Sequence, residues 1–200
     1  MLPIGHQRLI IGVSQFEEMC KIVAHLRANS TITYMLLARV YVLFTEVFKL
    51  KYMYDNYISV PKKACEFYIN GEPLSLLTAL QPLRRSLSIS DSGIVTIIRA
   101  RNNYVHDVLN NRERALLCCN VLYTNRMYFM KFYNTVINDV NVDGFEIRTS
   151  YFPYVLSKVV QIMKSHTKDK DIARANILSK TESKLQTAID WLNSECTKRT

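Results

Sequence analysis

The spacing of the apolar residues constrains the fold of this chain more than any other feature. Over most of its length they recur at steps of three and four residues, as in Ile94, Ile97 and Ile98, which is the repeat of one face of an α-helix. Only five glycines and five prolines interrupt the 200 residues, so few tight turns are available. A hydrophobic content of 48% is enough for a sizeable core. We therefore predict an all-α protein built as a helical bundle.

Seven segments carry this helical pattern, and they organise the chain. They lie at about residues 9–27, 31–57, 74–86, 90–111, 112–140 and 154–164, with a last helical region ending near residue 193. The stretch 59–75 holds two prolines and a glycine, which predicts a loop with a short strand or an irregular turn. We expect a helical bundle at 1–143 and a basic C-terminal helical extension at 144–200.

The segment 31–57 is nearly apolar all round in its first half, which is typical of a central bundle helix. Arg39 and Glu46 interrupt it well inside the length that a bilayer requires, so we interpret it as a core helix and expect no association with a membrane. The N-terminus lacks a basic region followed by a sufficient apolar stretch, and this argues against an export signal. We expect a cytoplasmic protein.

The net charge indicates the class of partner, and the cysteines indicate the redox state of the compartment. A formal charge of +9 and a pI near 9.3 favour a polyanion such as nucleic acid. The cysteines are odd in number and two are adjacent, which is typical of reduced, buried thiols rather than of a disulfide framework: Cys20, Cys65, Cys118, Cys119 and Cys196. No Cys-x2-Cys pair is present, and three histidines stand without metal-ligand spacing, so we expect neither a metal nor a cofactor: His6, His25 and His166.

One polar interruption lies in the stretch RARNNYVHD at 99–107. Arg101 occupies a position where the helical pattern calls for an apolar residue, and a guanidinium that faces other protein needs a partner or a chemical purpose. Asn102 follows it, and His106 lies on the same helical face as Asn102. Together they offer a permanent cation for a phosphate, an imidazole that exchanges protons near neutral pH, and an amide that orients either group. Cleavage of RNA through its 2′-hydroxyl requires such groups.

This stretch resembles the R-x4-6-H motif of HEPN domains, including the polar residue after the arginine. The resemblance covers about residues 1–140 and implies a helical bundle with the motif on a late helix. It also implies a metal-independent endoribonuclease, active as a homodimer in a toxin, defence or RNA-processing role. Arg101 would then hold the scissile phosphate, His106 would act as acid or base, and Asn102 would orient them, while Arg99, Asn103 and Tyr104 would contact RNA.

The resemblance also implies protein partners, namely a second copy of the chain or a regulatory protein. Dimerisation would explain why an arginine lies in that stripe, and an antitoxin or another regulatory protein is a possible partner. In the toxin branch that a nucleotidyltransferase antitoxin controls, the motif continues His-x-Tyr, whereas Val108 stands at that position here. Modification at that site is therefore not implied.

Two alternatives stay open from the sequence. Arg99 gives a second register, R-x6-H, and lies on the His106 face, although Asn102 after Arg101 favours the first. Alternatively, Arg101 and His106 simply pair with acidic side chains of neighbouring helices. The tail adds a further possibility, because Ser179 and Glu182 form a capping box in a pattern that weakly resembles a helix-turn-helix. The competing function is accordingly a non-catalytic helical adaptor or a DNA-binding regulator.

Overall fold

The computed structural model describes residues 4–27, 30–56, 68–69, 72–86, 88–106, 112–147 and 149–166. Within them the fold is all-α, as predicted, apart from two strands of two residues. In chain order the elements are α1 Ile4–Ala24, α2 Thr31–Asp55, β1 Tyr68–Ile69, β2 Glu72–Pro73, α3 Leu76–Ser86, α4 Asp91–Val105, α5 Arg112–Thr124, α6 Arg126–Val142 and α7 Phe152–His166. Strands β1 and β2 are antiparallel, which confirms the short strand predicted for 59–75.

Helix α2 is the centre of the bundle, as its apolar sequence predicted. It contacts α1, α3, α4 and α5. Helix α1 approaches it closely at Gly12, where an added Cβ would lie 2.2 Å from Cδ1 of Leu50. Among the described helices, α2 alone is long and apolar enough to cross a membrane. The core helix of a bundle has the same length and composition, and 56% of the most apolar window of α2 is buried. The motif helix α4 packs against α2 and, more extensively, against α5.

The core of the bundle is aromatic. Phe44 of α2 lies at its middle, with the centroids of six neighbouring rings 4.8 to 6.1 Å away: Phe16, Phe48, Phe129, Phe132, Tyr133 and Phe152. Ring pairs at these separations, in tilted, edge-on or stacked arrangements, contribute stabilising free energy beyond that from burying their apolar area. The cluster joins α1, α2, α6 and α7 in one core.

Helix α7 belongs to that same core. Phe152, Val155, Val159 and Ile162 have no exposed surface. The predicted boundary at residue 143 therefore does not separate α7 from the bundle. The rest of the predicted extension, including its last helical region and the capping box, lies at 167–200, outside the described residues.

A buried carboxylate ties α1 to the segment before α7. Glu17 accepts hydrogen bonds from the Tyr133 hydroxyl at 2.5 Å, the Ser150 hydroxyl at 2.7 Å and the Tyr151 amide at 2.7 Å. Tyr133 is almost fully buried, and burial next to Glu17 raises the pKa of its hydroxyl well above the usual range. Three donors converging on one carboxylate satisfy its lone pairs away from water, so Glu17 can be buried without a cation.

A lysine closes the C-terminal end of α1. The Lys158 ammonium of α7 donates to the carbonyls of Val23 and Ala24, each at 2.9 Å, and to that of Leu26. The last carbonyls of a helix have no partner within it, and a cation there also complements the helix dipole. Burial lowers the pKa of this ammonium. Lys158 thus stabilises the α1–α7 contact through backbone atoms at the end of a helix.

Two predicted helices end earlier than the sequence indicated. The segment 112–140 is not one helix, because it divides at Asn125 into α5 and α6. The Asn125 side-chain amide donates to the Val121 carbonyl at 3.0 Å, and this carbonyl also accepts from the Asn125 backbone amide at 3.1 Å. The motif helix ends at Val105 rather than near residue 111, with His106 as its C-cap. Residues 107–111 lie outside the described part of the chain.

The described cysteines fit the predicted class of thiol. Cys20, Cys118 and Cys119 are free and buried. Burial raises the pKa of the Cys119 thiol from 9.0 to about 12, so this group is neutral near pH 7. Cys65 and Cys196 lie outside the described residues.

Candidate active site

Helix α4 forms where the sequence places its start signals. Ser90 is the N-cap, and its hydroxyl accepts from the Gly93 amide at 3.1 Å while Asp91 lies in the first turn. Of the predicted apolar stripe, Ile94, Ile97 and Tyr104 are buried, and Val95 and Ala100, which the stripe did not include, are buried beside them. Val105, the last residue of the helix, is 44% exposed instead.

Polar side chains of α2 and α5 hold α4 in place through its backbone. The Tyr41 hydroxyl donates to the Ile97 carbonyl at 2.6 Å, and the Cys118 thiol lies 3.6 Å from the Ala100 carbonyl. The Tyr41 hydroxyl is fully buried, and this burial raises its pKa. Both contacts fall within about one turn of Arg101, so the backbone that carries the motif is fixed on two sides.

Arg101 has a partner within its own chain. Its Nη2 lies 3.1 Å from Oε1 of Glu46 on α2, and Glu46 also forms an ion pair with Lys49 at 3.2 Å. The side chains of Arg101 and Glu46 are 21% and 28% exposed. An arginine interrupts the apolar stripe because a carboxylate of the central helix faces it. Arg101 therefore pairs with an acidic side chain of a neighbouring helix, as one of the two alternatives from the sequence predicted. A second copy of the chain is not needed to explain its position.

The same guanidinium contacts Asn102. Nη1 of Arg101 donates to Oδ1 of Asn102 at 3.2 Å. Its Nε is buried and has no hydrogen-bond partner among the described residues. A buried N–H without an acceptor costs about 1–3 kcal/mol. The contacts with Asn102 and Glu46 fix the plane of the guanidinium between α4 and α2.

His106 is placed differently from the prediction. It lies at the C-cap of α4 rather than inside the helix, and its backbone amide donates to the Asn102 carbonyl at 2.9 Å. The imidazole is exposed and makes no hydrogen bond or ion pair with a described residue. At about 100° per residue, Asn102 and His106 project within about 40° of each other, whereas Arg101 and His106 project about 140° apart. The structure thus joins Arg101 to Asn102 but leaves His106 on the solvent side.

The residues predicted to contact RNA separate into two groups. Arg99 is half-buried and Asn103 is exposed, so both lie at the surface of α4. Tyr104 is only 5% exposed, and its hydroxyl donates to the Met35 carbonyl at 3.1 Å. Burial raises the pKa of Tyr104. Its ring packs in the core and does not present a face on which a base could stack.

Three arginines that the sequence analysis did not select lie around the same end of α4. Arg39 of α2 lies close enough to the Tyr104 hydroxyl to act on its pKa, in the lowering direction, and Nη1 of Arg114 on α5 donates to the Asn103 carbonyl at 3.1 Å. Arg112, also on α5, lies over the ring of Tyr34 at 5.6 Å. The only signal in the sequence was the run RER at 112–114 soon after the motif.

Within the described ranges, no group of three or more His, Cys, Asp or Glu side chains could hold a metal ion. Comparisons of the chain with protein-family models, with curated proteins and with solved structures give no match. The likeness to HEPN domains therefore rests on the motif and on the helical fold alone.

Proposed function

We propose that this protein is a metal-independent endoribonuclease whose site lies at the C-terminal end of α4. The observation that supports this proposal is the Arg101–Asn102 contact at 3.2 Å next to an exposed histidine. The net charge of +9 suits an RNA substrate. The resemblance of the motif to that of HEPN ribonucleases agrees with this arrangement.

The reaction needs a base, an acid and a cation. A base removes the proton of the 2′-hydroxyl, the 2′-oxygen attacks phosphorus, and the bond from phosphorus to the 5′-oxygen breaks while an acid protonates that oxygen. The products are a 2′,3′-cyclic phosphate and a 5′-hydroxyl. His106 either takes the proton of the 2′-hydroxyl or gives a proton to the leaving 5′-oxygen. Arg101 stabilises the charge that develops on the phosphate oxygens. Asn102 holds the guanidinium and lies on the face of His106.

Glu46 acts as a positioning residue in this scheme. Its carboxylate holds one end of the Arg101 guanidinium, as Asn102 holds the other. A guanidinium fixed before substrate arrives needs less reorganisation during the reaction. Lys49 offsets part of the negative charge of Glu46, which would otherwise oppose an approaching phosphate.

A homodimer is part of the proposal. One imidazole cannot serve as base and acid in the same step, so a second copy would bring a second His106 to the cleft. Either Arg99 or Arg101 would face the phosphate, and Arg101 is favoured by its fixed geometry. A cytoplasmic role as a toxin, defence or RNA-processing enzyme follows from the same resemblance, with an antitoxin or regulatory protein as a possible partner.

The test is cleavage of a mixed RNA pool in EDTA, with the product ends identified. We expect cyclic-phosphate ends from the wild type and a loss of at least about 100-fold in rate for His106→Ala and Arg101→Ala. His25→Ala and Arg126→Ala are the matched controls, because both residues lie outside the site and should leave the rate unchanged. Activity that survives in the His106→Ala protein would contradict the proposal.

The non-catalytic alternative has one observation in its favour, the ion pair between Arg101 and Glu46, since a structural pair needs no substrate. In that case folded wild-type protein binds nucleic acid but cuts none. A DNA-binding regulator would instead use the segment at 167–200, outside the described residues, and would keep salt-sensitive binding of duplex DNA after loss of Arg101 and His106.

A further inference from the structure

Side chains from three helices converge at the end of α4 that carries the motif. Asn103 and Tyr104 lie between α5 on one side and α2 on the other, since Arg114 contacts the Asn103 carbonyl and Arg39 contacts the Tyr104 hydroxyl. Arg112, two residues before Arg114, lies over Tyr34 of α2. Arg39, Arg112 and Arg114 are here called the arginine surface. Asn103 is one helical turn from His106, about 5 Å along the axis, so this surface borders the site.

The charge of this end is positive after its carboxylates are counted. Five arginines, at positions 39, 99, 101, 112 and 114, stand against Glu46, Glu113 and, by its place in the sequence, Asp107, which leaves a balance of +2. Glu46 is already engaged by Arg101 and Lys49. Arg39 and Arg112 are exposed and Arg114 is half-buried. The hydroxyl next to Arg39 and the carbonyl next to Arg114 are neutral groups.

The residue type points to the ligand. A guanidinium presents a planar fork of N–H donors that matches phosphate oxygens, and it also stacks on aromatic rings and bases. Arg112 already lies over an aromatic ring. A carboxylate also pairs with this fork, but only a single strand offers phosphates and base faces in succession.

From these contacts we infer that the arginine surface binds the sugar-phosphate backbone of single-stranded RNA next to the cleavage site and leads the strand to Arg101 and His106. This inference deepens the proposed function and rests on it. Arg39, Arg112 and Arg114 contact phosphates away from the reacting one, so they contribute to affinity rather than to the chemical step. Binding therefore depends on salt, with a slope that each arginine increases by about 0.7 for a single strand.

The experiment uses a fluorescent 12-nucleotide RNA of mixed sequence with 2′-O-methyl groups, which cannot be cleaved through the 2′-oxygen. Anisotropy gives its Kd across a series of salt concentrations. We expect Arg39→Gln to weaken binding about fivefold at 0.1 M salt, and Arg112→Gln with Arg114→Gln about 25-fold with a slope lower by about 1.4. Circular dichroism of each variant establishes that it is folded.

A matched control removes equal charge elsewhere. Arg126 lies over the Tyr123 ring at 4.8 Å, as Arg112 lies over Tyr34, and α5 separates the two arginines by roughly 18 Å. Lys131 is exposed on α6. The double variant Arg126→Gln with Lys131→Gln should keep wild-type affinity and slope.

The outcomes separate this inference from the proposed function. Wild-type binding that is lost in the arginine variants alone supports the inference even if no RNA is ever cut. Equal loss in the control variant, or none in the arginine variants, overturns it while cleavage by the wild type can still stand. Failure of the wild type to bind the RNA, or tighter binding of an acidic peptide of equal charge, overturns it as well.

Discussion

The ion pair between Glu46 and Arg101 accounts for the position of Arg101, and its strength can be predicted. Nη2 and Oε1 are 3.1 Å apart, and the side chains are 28% and 21% exposed. Two charges about 4 Å apart interact by about 4 kcal/mol at an effective dielectric constant of about 20 and by about 1 kcal/mol in water. Partial exposure and the cost of ordering two side chains reduce the net gain towards the lower figure. We predict a coupling free energy of about 1 kcal/mol.

A double-mutant cycle measures this coupling. The four proteins are the wild type, Glu46→Gln, Arg101→Gln and the double variant, and their free energies of unfolding come from urea titrations followed by circular dichroism. A second cycle on Glu46 and Lys49 is the internal control. That pair is three residues apart on one helix, so we expect only about 0.2–0.5 kcal/mol from it.

A coupling near zero between Glu46 and Arg101, with both single variants as stable as the wild type, would refute the explanation. Arg101 would then lie in the apolar stripe without a stabilising partner in its own chain. An acidic partner from a second copy of the chain would then be the better explanation. In that case the stability effect of Arg101→Gln would be larger at protein concentrations above the dimer dissociation constant than below it.

Three further changes test the fold that supports the site. Glu17→Ala leaves the buried Tyr133 hydroxyl and two other donors without their acceptor, and the free energy of unfolding should fall by about 3 kcal/mol or more in a urea titration; a loss under about 1 kcal/mol would contradict the packing described. Lys158→Met keeps the apolar stem but removes the cap of α1, so we expect about 1–2 kcal/mol less stability by the same assay, and no change would show the cap to be dispensable. Because the pKa of Cys119 is raised from 9.0 to about 12 in the folded protein, its contribution to stability is intact below pH 9 and is lost as the pH rises towards 12. Between about pH 8 and pH 10 the wild type should therefore lose about 1.4 kcal/mol more than Cys119→Ala, and equal losses would show that this thiol ionises without unfolding.

Much of the fold follows from local pattern. The steps of three and four apolar residues locate α2, α3 and α7 to within two residues, because burial of one face dominates helix formation in a bundle. Helix α1 begins five residues before the predicted start. The nearly uniform apolar character of α2 identifies it as central for the same reason. Ser90 and Asp91 mark the start of α4 through a capping bond that is local in the sequence.

The rest depends on contacts that a single sequence does not encode locally. The division at Asn125 is one example, because the apolar pattern continues across it. The partner of Arg101 is 55 residues away on α2, so periodicity detects the cation in the apolar stripe but not the carboxylate that faces it. The arginine surface forms from α2 and α5 around α4, and nothing in the spacing of Arg39 from Arg112 indicates that they share one end of the bundle.

The candidate site was predicted in part. Arg101 and Asn102 contact each other, and the orienting role of the asparagine stays a prediction. His106 lies at the C-cap instead of within the helix, because α4 ends one residue before it. Tyr104 has an apolar ring at a core position of the stripe, and burial of that ring decides its place.

The measurement that tests the central claim most directly compares one RNA oligonucleotide with its 2′-O-methyl form, both incubated with the wild-type protein in EDTA. His106→Ala protein purified in the same way controls for contaminating nucleases. The account predicts that the wild type cuts only the unmodified RNA and leaves 2′,3′-cyclic phosphate ends, while His106→Ala cuts neither. Folded, dimeric wild-type protein that cuts neither substrate, or cuts both, would contradict it.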